Sequence, residues 1–299
     1  MIQAGDNVER ENDDLENDDF KNNDLENDDL AYDELNLLGK ILVHWGNFAR
    51  YRFLLQDLIV RDIKVKYRRS VLGILWSVLN PLLMMLVITA VFNNVFRMFE
   101  VPNFPVYYLT GILIFSFVSE ATTGSMFSVL GGGSLIKKVY IPKYIFPLEK
   151  CLFALVNMMF SAVAVVIVML ITGAPIYPTI LLFWIPMLYA LIFSIGLGLI
   201  LATLAVFFRD VTHLYSVWVT AWMFLTPIIY PVEALSEGMR NSLRFNPLYH
   251  FVNYFRDVVR YGRVPGLQEN LICLGIALAF LVVGLVVFKW KQKRFILYM

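Results

Sequence analysis

TILLFWIPMLYALIFSIGLGLILATLAVFF, residues 179–208, runs for thirty positions without one Asp, Glu, Lys or Arg. A bilayer core about 30 Å thick takes about 20 mostly apolar residues in helical form, so this stretch reads as a membrane span. Working outward, five more stretches qualify or come close: 71–96, 106–130, 148–172, 214–231 and 270–288. The one at 214–231 is the shortest and closes on Thr226-Pro227-Ile228-Ile229-Tyr230-Pro231, so it need not cross as a straight helix. Composition agrees, because 59% hydrophobic and 16% charged residues in 299 leave too much apolar surface for a water-soluble domain. The expected fold is an all-α membrane protein with six transmembrane helices.

Lys and Arg set the orientation, since cytoplasmic flanks carry their excess. Arg50, Arg52, Arg61, Lys64, Lys66, Arg68 and Arg69 precede the first span. Lys137, Lys138, Lys143 and Lys150 stand between the second and third, and Lys289, Lys291, Lys293 and Arg294 follow the last. All three clusters share one side only if the crossings are even in number, which places both termini in the cytoplasm. The loop at 97–105 then lies outside with Arg97 alone, and the loop at 173–178 with no base.

The remaining segments divide the chain. Residues 1–36 are acidic: the first 35 hold fourteen acids against Arg10 and Lys21, and residues 11–35 read as the pentads ENDDL, ENDDF, KNNDL, ENDDL and AYDEL. Too few units occur to stack a repeat core, so a solvated tail is expected. No basic n-region and apolar h-region open the sequence, so this tail is expected in the mature protein. Residues 37–70 form an amphipathic helix along the inner surface, with Arg50, Arg61, Lys64 and Arg68 on one face. Residues 71–288 are the six-span body and 289–299 a basic cytoplasmic tail.

Residues 232–269 fall outside yet contain Arg240, Arg244, Arg256, Arg260 and Arg263. At 100° per residue, Asn253, Arg256, Asp257 and Arg260 share one face of a helix beginning near Pro247. Leu248, Phe251, Val252, Phe255, Val258 and Val259 share the other. The expectation is an outer amphipathic helix with Arg256 and Arg260 towards water or a lumen, or else a passive cap on the spans.

Several chemistries lack their residues. No G-x-x-x-x-G-K-[ST] loop occurs, so the chain has no nucleotide site of its own and no catalytic role. His44, His213 and His250 are scattered and have no neighbouring Cys, so no metal site is expected. Cys151 and Cys273 sit in apolar runs and read as packing. No D-x-D pair supports an embedded glycan transferase. Glu120 is the one ionisable residue near the middle of a span, where it must face the bundle interior or a hydrated path.

Tyr67-Arg68-Arg69-Ser70-Val71-Leu72-Gly73-Ile74-Leu75-Trp76, running on to Leu79-Asn80-Pro81-Leu82, resembles the start of the first span in membrane subunits of polysaccharide ABC exporters. Leu135-Ile136-Lys137-Lys138-Val139-Tyr140-Ile141-Pro142-Lys143, Phe208-Arg209-Asp210-Val211, the Thr226–Pro231 run and Asn246-Pro247-Leu248-Tyr249 agree in order and spacing. The resemblance covers about 40–299 and implies export of O-antigen, capsule or teichoic acid as lipid-linked polymer across a bacterial cytoplasmic membrane. An ABC exporter of drugs or smaller lipids is the alternative.

The resemblance further implies that residues 135–143 form a cytoplasmic coupling helix docking into an ATPase subunit, with short re-entrant helices at the outer mouth. ATP and Mg would then sit on that partner, present in two copies beside a homodimer of this chain, with no nucleic acid involved. Aromatic faces suit sugars because they stack on apolar C–H surfaces. Tyr107, Tyr108, Phe115, Trp218, Trp222, Phe224, Tyr230 and Tyr249, with Glu120, are therefore candidates for the translocation path. Trp222 and Tyr230 are expected two turns apart on one helix. Purified alone, the chain should release no phosphate from ATP above background, in a coupled assay with and without its partner; robust hydrolysis by the single subunit would overturn the assignment.

Overall fold

A computed structural model describes residues 37–95, 101–133 and 141–295, without the side chains of 37–50, 93–95 and 293. The acidic pentads, residues 134–140 and the last four residues lie outside the described residues. The chain divides into two units, Met1–Asp57 and Leu58–Met299. In the first, the described part is helical from residue 37. The second holds everything that follows.

Among the described residues there are nine α-helices and no strand: α1 Leu37–Tyr67, α2 Leu75–Val95, α3 Phe104–Gly131, α4 Ile145–Thr172, α5 Trp184–Phe207, α6 Val211–Leu225, α7 Glu237–Ser242, α8 Pro247–Val259 and α9 Leu267–Lys291. Short 3₁₀ segments occur at Pro178–Phe183, Val232–Ala234, Leu243–Phe245 and Gln292–Arg294. Five helical segments are long and apolar enough to cross a membrane, built on α2, α3, α4, α5 with its preceding turn, and α9. They match five of the six expected stretches.

The sixth differs. At 15 residues, α6 rises about 22 Å, short of the hydrocarbon core. It ends at Leu225 because Pro227 has no N–H to donate and disfavours helical backbone at Thr226, which turns to an extended conformation. Tyr230 therefore lies beyond the helix, and the expected two-turn spacing from Trp222 does not exist.

The centre of the second unit is α3, buried over 72% of its spanning window against 11% for α2. It packs on α4, α5, α8 and α2, while α9 packs mainly on α5. The expected apolar face of α8, from Leu248 to Val259, is buried. That helix starts where the sequence placed it, with the Asn246 side chain accepting from the Leu248 N–H at 3.1 Å. Both cysteines are buried.

Helices α5 and α9 meet backbone to backbone. A Cβ on Gly284 would fall onto the Gly196 carbonyl, and one on Gly196 onto the Phe280 carbonyl. Association of apolar helices in lipid depends on such close approach, because no water is expelled from between them. Gly284→Val should destabilise the protein by about 1–3 kcal/mol through overpacking. The thermal midpoint of the purified protein checks this: it should fall for Gly284→Val and stay put for Gly275→Val, a position with open space around it.

Candidate functional site

The end of α1 and the helices α2, α3 and α4 wall a cavity of about 550 Å³. Apolar side chains line much of it, yet Lys66, Ser77, Asn80, Ser116, Glu120 and Asn157 also face it. Glu120 lies eleven residues from the Gly131 end of α3, about 16 Å along the axis, so its carboxylate is well inside the span. Lys66 Nζ donates to Glu120 Oε1 at 2.7 Å, and Asn157 Nδ2 donates to the same oxygen at 2.9 Å. The Tyr67 hydroxyl bonds to the Ser77 hydroxyl and donates to Asn157 Oδ1 at 3.4 Å. Ser161 donates to the Ser77 and Asn157 carbonyls, both at 3.0 Å.

Side chains of Lys66 and Glu120 remain 39% and 36% exposed, so the pair borders open space and is not a sealed core bridge. A half-open pair adds little to stability, so its cost inside a span points to a hydrated cavity. Asn80 is exposed and lines this cavity, and its side chain makes no hydrogen bond among the described residues.

A second cluster joins α1 to α4. Lys150 pairs with Asp62 and reaches Glu149 Oε2 at 3.3 Å, while Arg61 Nε donates to Asp62 at 2.9 Å. Burial raises the Asp62 carboxyl, but hydrogen bonds and charge from Lys150 and Arg61 outweigh it and hold the group below its ordinary value.

A third network ties α8 to α3 and to the turn after α6. Arg256 is 2% exposed, and its guanidinium lies 3.6 Å over the Tyr107 ring. It donates to the Pro227 carbonyl at 2.8 Å and to the Tyr107 carbonyl at 3.3 Å. Tyr107 itself donates to the Pro227 and Tyr230 carbonyls at 3.1 and 2.9 Å. Gly111 makes room, since a Cβ there would stand 2.6 Å from an Arg256 nitrogen. Arg256 thus turns into the protein instead of facing water, because the carbonyls freed by the Pro-rich turn need donors. Arg260 is half-buried, 5.2 Å from the same ring, with a hydrogen bond to the Pro102 carbonyl.

The candidate path aromatics separate. Tyr107, Tyr108, Phe115 and Trp222 are buried. Trp218 and Phe224 are exposed, and Tyr230 and Tyr249 are half-buried. Trp218, Trp222 and Tyr230 do share one apolar cavity, of about 590 Å³, which Tyr215 also lines. Tyr108 lies on the Glu120 cavity, and Tyr249 beside Arg256 on another. Phe115 lies in the core.

Residues 135–140 of the expected coupling segment lie outside the described residues. Of the rest, Ile141 is buried and Pro142 half-buried. Lys143 donates to the Gln292 carbonyl at 2.9 Å, and burial lowers its ammonium pKa. On α1, the Arg50 side chain lies outside the description; Arg61 is held by Asp62, and Lys64 and Arg68 are exposed. Sequence reasoning passed over Lys66, Asn157 and Asn246. Asn157 carried a signal, an amide inside an apolar run; Lys66 carried none beyond its place in a basic cluster.

Nine helices among the described residues, five of them long and apolar enough to cross a membrane, define a multi-pass membrane protein. The chain belongs to the ABC-2 type transporter family, which matches residues 54–259. It is similar to the O-antigen export system permease protein RfbA of Myxococcus xanthus, 30% identical over 250 residues, covering 82% of this chain and 95% of that one. A Klebsiella pneumoniae protein of the same name is 30% identical over 247 residues, covering 80% and 93%. The polysialic acid transport protein KpsM of Escherichia coli is 23% identical over 255 residues, covering 83% and 97%.

Asn246 is the joint of the outer network. Its side chain accepts from Trp222 Nε1 at 2.8 Å and donates to Thr226 Oγ1 at 3.0 Å, besides capping α8. Asn246→Ala should cost about 1–3 kcal/mol by stranding these partly buried groups. A lower thermal midpoint with normal membrane insertion checks this, and an unchanged midpoint would contradict it.

Proposed function

We propose that this chain is the permease subunit of an ATP-driven ABC exporter that moves lipid-linked polysaccharide across a bacterial cytoplasmic membrane. Membership of the ABC-2 family and similarity to O-antigen and polysialic acid transport proteins support the reading. The observation that carries it is the cavity at Glu120, where hydroxyl, amide and charged groups face open space among otherwise apolar helices.

Two copies of the chain would pair with two ATPase subunits, which hold ATP and Mg. Six crossings put both termini in the cytoplasm, with α6 and the chain to Pro231 together serving as the fifth. Residues 135–143 and the basic face of α1 would meet the ATPase, and α7 and α8 would lie at the outer mouth.

Passage of a long glycan asks for contacts that are weak, repeated and exchangeable. Lys66, Glu120 and Asn157 can trade hydrogen bonds with sugar hydroxyls at small net cost, since each bond lost is replaced by one like it. Further along, the Trp218 face offers stacking without a fixed pattern of donors. Trp222 serves less freely, because its ring nitrogen holds Asn246.

Asn80→Leu tests this reading, because Asn80 faces the cavity and holds nothing else in place. Export per inserted molecule should fall about two- to tenfold, the worth of a net hydrogen bond of about 0.5–1.5 kcal/mol. Abundance and co-purification with the ATPase should persist. Unchanged export of long chains would remove the cavity from the path.

A further inference from the structure

Beside Arg256 is a cavity of about 390 Å³, lined in part by Tyr249, Asn253, Arg256 and Asp257 of α8 and by Glu233. This is room for about a dozen waters, enough for a pyranose ring. What distinguishes it is the number of hydrogen-bonding groups with nothing to bind. The Tyr249 hydroxyl, the Asn253 amide and the Glu233 carboxylate make no hydrogen bond among the described residues. Arg256 Nε is buried and has no acceptor. The Arg256 side chain lines the cavity, but that nitrogen is sealed from it, so the three open groups are what a ligand would meet.

Charge decides the class of ligand. The lining holds two bases, Arg256 and Arg263, against three acids, Glu233, Asp257 and Glu269. Arg263 is already engaged, 2.5 Å from Glu269 and 3.9 Å from Asp257. The excess is therefore negative, which disfavours phosphate or a uronic acid. A metal is not indicated either, since among the described residues no three His, Cys, Asp or Glu side chains gather to hold one. Free carboxylate and amide groups beside the Tyr249 and Tyr261 rings suit an uncharged polyhydroxylated ring, with hydroxyls at the edge and C–H groups on the aromatic faces.

We infer that this cavity binds a neutral pyranose unit of the exported glycan. The inference rests on the proposed export function and on α8 lying at the outer mouth. Such a site lies apart from the Glu120 cavity, with no lining residue in common. It would hold the emerging chain by one sugar at a time.

The test uses the full chain with its ATPase partner in lipid nanodiscs, and saturation-transfer NMR with methyl glycosides of glucose, galactose, mannose, N-acetylglucosamine and glucuronic acid. At least one neutral glycoside should bind the parent. Asn253→Leu should weaken that binding about tenfold, as should Asp257→Asn, with the thermal midpoint unchanged. Asn253→Ser serves if the leucine variant does not fold. Absence of binding by every neutral glycoside, binding of the glucuronide alone, or equal binding by the variants would overturn the inference. Polymer export in proteoliposomes, run on the same parent preparation, separates the two claims. Export without glycoside binding defeats the site alone, and glycoside binding without polymer export defeats the export reading.

Discussion

Hydrocarbon offers no hydrogen bonds, so each polar group carried into the bundle must find its partner within the chain. In α3, the most buried helix, Thr110 and Thr122 return their hydroxyls to the carbonyls of Val106 and Val118 four residues back, at 2.8 and 2.6 Å. Ser125 donates across to the Pro147 carbonyl at 3.0 Å, and Tyr215 donates to Thr122 at 2.6 Å. These bonds let a helix rich in hydroxyls sit at the centre without stranded donors, and they fix its contacts with α4 and α6.

The same demand explains the outer knot. Proline ends α6 and leaves the carbonyls of a turn without helical partners. Tyr107 and Arg256 supply the donors, and Asn246 supplies both donor and acceptor. A residue that periodicity assigns to a wet face is thereby drawn inward. The Asn80 amide, which has no partner among the described residues, faces a cavity, whereas the Arg256 Nε without an acceptor is sealed in the protein. In the proposed export function these exceptions matter most, since only uncommitted or exchangeable groups can exchange their bonds for those of a passing sugar.

Much of this was legible in the sequence. Five spans, the start of α8 near Pro247 and its apolar face needed only apolar run length and helical period. Glu120 stood out because a carboxylate within an apolar run is costly anywhere in the bundle. Tyr230 was misplaced because helical period was carried through Pro227, where backbone chemistry stops it. Lys66 was passed over because nothing in a cluster of bases marks which one reaches 54 positions along the chain to a carboxylate.

The sequence by itself determined that the chain is helical, built for a membrane and without a nucleotide loop, since these follow from composition, run length and the absence of a motif. Its resemblance to polysaccharide exporters also rested on local strings. Only the tertiary structure decided which polar groups pair, which line cavities and which way Arg256 turns. Run length and period act within one helix, whereas satisfaction of a donor depends on helices brought together from distant parts of the chain.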